Sequence, residues 1–128
     1  MVAAALVSKQ VEDGRKLIQL LDDANVRISV AFWAMIDEAD EWRLMLGKAG
    51  VSQTGTRATY ELIYTLIRQS NMQLSLNDIS LVDSDGDLCS QLKSAVQTET
   101  DLTEMPFVGN YINGQRFPNA LIYRVHKQ

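Results

Sequence analysis

The chain has 128 residues, 46% apolar and 22% charged, with a net charge of −4 and a pI near 4.9. That length suits one domain, residues 1–128, burying roughly two-thirds of its unfolded surface, and the composition argues against disorder. An acidic balance without a run of Lys and Arg exerts no pull on nucleic-acid phosphates or anionic lipid, so neither nucleic acid nor a membrane is an expected partner.

The opening "MVAAALVSKQ" lacks the basic start and the long apolar run of a secretory signal. No stretch approaches the roughly 20 apolar residues that span a bilayer. The expected location is cytoplasmic. From Leu6 to Ala24, Val7, Val11, Gly14, Ile18 and Leu21 recur at helical spacing. Gly14 weakens that helix by up to about 1 kcal/mol relative to Ala, unless something packs close to it.

Val26 to Ile36 alternates Val26, Ile28, Val30, Phe32 and Ala34 against Arg27, Ser29, Ala31, Trp33 and Met35. Period two with β-branching predicts a strand. "WRLMLG" predicts its partner across the acidic loop Asp37, Glu38, Asp40, Glu41, which reads as a solvated turn. "GVSQTG" breaks the pattern. Residues 56–71 then place Ala58, Leu62, Ile63, Leu66 and Ile67 on one helical face.

"NDISLVD" predicts a short strand and "GDLCSQLKSAVQT" a helix, with "ETDLTEMP" as a polar connection. Asn113-Gly114 fits a type I′ hairpin turn, Pro118 a strand end, and "ALIYRV" a final strand. The expected class is α+β: a mainly antiparallel sheet of about five strands with helices packed on it, in the order α-β-β-α-β-α-β-β.

The acids of "LVDSDGDL" invite a chemical reading. The segment resembles the first motif of haloacid-dehalogenase-type phosphatases. That resemblance would make Asp83 the phosphoryl acceptor and Asp85 the general acid/base of a Mg²⁺-dependent enzyme. Here Asp87 stands where the family usually has Thr, and only 40 residues follow Leu88. As a calcium loop, the segment would need Gly and a bidentate acid where Leu88 and Ser94 stand. The simpler reading is a strand turning into a helix, with Ser84 or Asp85 as its cap and Asp87 against the helix dipole. No metal site, cofactor or catalytic set is expected.

Cys89 is the sole cysteine and His126 the sole histidine, so neither a disulfide nor a thiolate zinc site can form within the chain. Cys89 reads as a small buried hydrophobe. One apolar patch stands out. Trp33, Met35 and Met45 are expected on the hairpin face opposite Val30 and Phe32, grading into polar Arg27 and Ser29. Met and Trp suit contact surfaces, so these three residues form the expected interface of a homodimer.

The most direct functional expectation is a non-catalytic binding or self-association module. The alternative is a small-molecule ligand held between sheet and helix, because the element order is similar to that of GAF- or PAS-type sensor domains. That similarity is an analogy of fold.

Overall fold

A computed structural model describes residues 6–36, 41–99 and 101–126. Helix α1 (Ser8–Asp23) buries Leu17, Ile18 and Leu21 along one stripe. It stops in a Schellman turn. Asn25 takes φ 61°, its amide bonds to the Asp22 carbonyl, and the Val26 amide bonds to the Leu21 carbonyl. Asn tolerates this left-handed conformation better than a β-branched residue does.

Strands β1 (Val30–Ile36) and β2 (Glu41–Lys48) form an antiparallel hairpin closing at Ile36 and Glu41, with its connection, residues 37–40, outside the described residues. The "GVSQTG" break is a short helix, α2 (Val51–Thr54), between Gly50 and Gly55, both at positive φ. Helix α3 (Arg57–Gln69) follows, burying Ile63 and Ile67. After a 3₁₀ turn at Leu76–Asp78 come strand β3 (Ile79–Asp83) and helix α4 (Asp87–Ala95).

Strand β4 (Met105–Phe107) begins in the last two residues of what composition suggested was a polar connection. Strands β5 (Tyr111–Ile112) and β6 (Gln115–Arg116) flank Asn113-Gly114, whose φ values of 53° and 81° fit the expected I′ turn. Strand β7 is Ala120–Val125.

The class is α+β, with five strands ordered β3-β2-β1-β7-β4 and a separate β5-β6 ribbon. One expectation needs correction: the sheet is mixed rather than mainly antiparallel, because β3 runs parallel to β2. The crossover through α2 and α3 returns the chain to the starting end of β2, which a parallel pairing requires.

The two edges are guarded differently. On β3, the Leu81 amide donates to the Tyr60 hydroxyl at 2.8 Å, while Arg43 spans the Ser80 hydroxyl and the Asn77 and Ile79 carbonyls. On β4, the Thr103 amide faces β7 by donating to the Tyr123 carbonyl. Strand alternation therefore turns residue 106 outward, and Pro106 has no N–H to offer there.

Both faces of the sheet are covered. Ala31, Trp33, Leu44, Leu46, Ile79, Leu81 and Tyr123 pack under α1 and α3. Val30, Phe32, Ala34, Met45, Ile122 and Val125 pack under α4 and the β5-β6 ribbon. The expected interface patch is corrected here. Trp33 is fully buried, and Met35 and Met45 are 6% and 7% exposed, all within the chain's own fold.

Met45 is also on the other face. The hairpin register pairs Phe32 with Met45 and Trp33 with Leu44. Ile28 differs as well, joining the Trp33 face rather than that of Val30 and Phe32. A bend at Ser29, just before β1, interrupts the alternation. The homodimer expectation thus loses the patch it rested on.

Candidate functional site

The Schellman turn after α1 sends residues 27–29 beside the end of β2, where the Ser29 amide donates to the Gly47 carbonyl. On the other side the His126 amide donates to the Ser29 carbonyl at 2.8 Å. The start of β1 and the ends of β2 and β7 therefore meet along one rim of the sheet, with α1 ending beside them.

A bulge in β7 decides what reaches that rim. Ala31 pairs with Arg124, but Phe32 pairs with Ile122, leaving Tyr123 as the extra residue. Strict alternation would put Tyr123 and Arg124 on opposite faces. The bulge turns both towards α1. The Tyr123 hydroxyl accepts from Trp33 Nε1 at 2.9 Å and donates to the Val11 carbonyl at 2.6 Å. Burial pushes the Tyr123 phenol well above its ordinary range.

Arg124, 5% exposed, forks onto Asp22 at 3.1 and 2.8 Å. It also donates to the carbonyls of Ile28 at 2.9 Å and Asp101 at 2.7 Å. Four separate chain segments are joined by one guanidinium whose planar geometry matches a carboxylate.

Open space flanks this knot. A cavity of about 400 Å³ lies between Asp22, Asn25, Arg27, Asp101, Arg124 and His126. A cavity of about 250 Å³ adjoins it, lined by Asn25, Arg27, Ser29, Lys48 and Ala49. Asn25 and Arg27 border both. The first contains carboxylates, one of them forked by Arg124. Among the described residues, the second contains two cations, an amide and a hydroxyl, and no acid.

The Asp83–Asp87 acids serve the local fold. Asp83 Oδ1 accepts from the Asp85 amide at 2.9 Å, and Oδ2 accepts from the Ser52 amide and hydroxyl at 3.2 and 2.8 Å. The Asp85 amide foremost, then the Ser52 donors, hold the Asp83 carboxyl below its usual value. Asp85 pairs with Lys93 at 3.3 Å.

The expected cap is corrected. Gly86 occupies the N-cap of α4, with no side-chain capping bond, so neither Ser84 nor Asp85 caps it. Ser84 is instead buried, its amide bonded to the Lys48 carbonyl as β3 ends. Asp87 does sit in the first turn of α4. Among the described residues, no group of three or more His, Cys, Asp or Glu is placed to hold a metal ion.

Cys89 is buried, and burial pushes its thiol up to about 11. It belongs to the cluster with Met45 and Leu92, and a Cβ on Gly47 would lie 3.0 Å from its Sγ. Gly47 is thus the gap into which the sulfur fits.

Of the residues at the rim, sequence reading noted Arg27 and Ser29 as the polar end of a strand. It missed Asn25, Lys48 and Arg124. Asn25 carried a signal, since an Asn just past a helical stripe suits the left-handed turn. Arg124 carried none, because its direction depends on the bulge. No family model, curated protein or solved structure matches this chain.

Proposed function

We propose that this chain is a non-catalytic binding module that takes a small polar ligand at the rim where α1 ends and β1, β2 and β7 meet. The observation that carries the reading is the pair of adjoining cavities there, bordered by side chains from three elements. Ligand sites favour concave places with a few convergent polar groups. Elsewhere the chemically suggestive residues are already engaged. Asp83 already accepts three hydrogen bonds, Cys89 is buried with a raised thiol, and Trp33 is core.

The test is thermal unfolding against a panel of small polar compounds: neutral, anionic and cationic. A ligand that binds only the folded state raises Tm, and the rise continues logarithmically as its concentration exceeds Kd. The expected outcome is a rise with at least one class, mapped by amide chemical shifts to residues 25–29 and 47–49. A panel without effect, together with a concentration-dependent mass, would move the reading to self-association through some other surface.

A further inference from the structure

The smaller cavity has a lining of one electrostatic kind. Arg27 and Lys48 come from opposite sides of the β1–β2 pairing and border the same space of about 250 Å³. Neither makes an ion pair or side-chain hydrogen bond among the described residues. Asn25 and Ser29 add an amide and a hydroxyl, and no carboxylate of the described residues lines the cavity.

Ser29 is 5% exposed and is held in place through its backbone by Gly47 and His126. Asn25 is fixed by the turn that ends α1. Two like charges converging on one space repel each other, and this happens on a chain whose net charge is −4. By contrast, Arg124 beside the neighbouring cavity is neutralised by its fork with Asp22. A guanidinium and an ammonium sharing a cavity with neutral donors form a complement for an oxyanion, phosphate or carboxylate.

We infer that Arg27 and Lys48, with Asn25 and Ser29, bind the oxyanion group of a small ligand at the β1–β2 end of the rim. This rests on the binding-module reading above and names the chemical class of its ligand. Arg27 clamps the anion in the plane of its guanidinium, and Lys48 supplies a point charge. Asn25 and Ser29 set orientation.

The experiment is a titration followed by amide chemical shifts, at constant ionic strength held with sodium chloride. Inorganic phosphate forms one arm and succinate the other, in the parent, Arg27→Gln, Lys48→Gln and Arg57→Gln. Arg57 lies on α3 in an exposed pair with Glu61, so its variant matches the charge change away from the rim. The expected result is saturable shifts at residues 25–29 and 47–49 in at least one arm. Binding should weaken at least tenfold in Arg27→Gln and Lys48→Gln and stay unchanged in Arg57→Gln. The stronger arm identifies the source of the oxyanion.

Shifts that never saturate, or that weaken equally in all three variants, overturn the inference as general charge screening. If neutral compounds saturate the rim while both oxyanions fail, the inference falls and the binding-module reading stands. If no compound of any class moves these residues, both fall together.

Discussion

The two faces of the sheet are held by different means. Beneath α1 and α3, apolar packing is laced with long-range polar bonds: Trp33 to Tyr123 to the Val11 carbonyl, Arg124 to Asp22, and the Gln73 amide to the buried Asp13 carboxylate. Beneath α4 and the β5-β6 ribbon, the contacts are almost wholly apolar, with Phe117 set between Phe32 and Phe107. Directional bonds fix where a helix sits along a sheet, whereas apolar packing fixes only that the face is covered. The first face therefore specifies the register of the fold, and the second contributes burial through a short helix and a ribbon of two two-residue strands.

The sharpest break of this comparison is Trp33→Asp. It removes the largest fully buried side chain and leaves a charge among core residues. Even truncation of a buried Trp to Ala costs about 3–5 kcal/mol, so the Asp variant should lose its cooperative unfolding transition altogether. A folded, monomeric Trp33→Asp protein would place the indole outside the core and undo the division of the two faces.

Gly14 tests how tightly the first face is locked. Gly→Ala within a helix ordinarily stabilises by about 1 kcal/mol. Here the added Cβ would lie 2.6 Å from the Tyr123 hydroxyl and 3.1 Å from Trp33 Nε1. Gly14→Ala should therefore destabilise by about 1–3 kcal/mol, as overpacking does. Tyr123→Phe should cost about 1–3 kcal/mol, because the buried Trp33 N–H loses its acceptor. Together they should cost less than the sum, since removing the hydroxyl removes the closest clash. Urea denaturation of the four proteins measures the coupling, and strict additivity would refute the contact.

The second face is probed by Gly114→Val. A Cβ there meets nothing within 4 Å, so any cost comes from φ 81° alone. About 1–2 kcal/mol of strain should loosen the ribbon locally. Hydrogen exchange should speed up at Ile112 and Phe117 while the amides of β1 and β7 keep their protection. Uniform loss of protection would show that the ribbon and the sheet unfold as one unit.

The effect that is smallest at neutral pH concerns Cys89, which acts only at alkaline pH. Its folded-state value, about 11, lies above the ordinary 9.0. The unfolded chain releases this proton first, so the folded state binds more protons between those values. The contribution of Cys89 is fully present below 9.0 and fades as pH rises towards 11. Denaturation curves across that window should fall less steeply with pH in Cys89→Ala than in the parent. The native thiol should also react with a disulfide reagent far more slowly than the unfolded chain.

Much of this architecture was legible because it obeys simple periods. The helical stripes, the β1–β2 hairpin and the Asn113-Gly114 turn follow from spacing and turn chemistry. Even the doubt attached to Gly14 pointed to a close neighbour, which proved to be Tyr123. What escaped were departures from period: the bend at Ser29 and the bulge at Tyr123 each move a residue to the other face. The parallel pairing of β3 escaped because "ISLVD" reads alike in either direction. The rim escaped because its members are distant in sequence and gather only where strand ends meet. Arg27 and Lys48 could be seen individually, but their shared cavity could not.

The place of β7 bears on how the chain reaches this structure. It lies between β1 and β4, and Tyr123 meets Trp33 across 90 positions of sequence. During synthesis the β1–β2 hairpin appears early, and the other edge of β1 stays unpaired until β7 arrives. Such distant pairing makes folding slow relative to helical proteins of similar size. A chain ending just short of residue 120 would hold all four described helices but no strand to join β4 to the β3-β2-β1 part of its sheet. That intermediate, with the β1 edge unpaired, is the form on which chaperones and proteases would act.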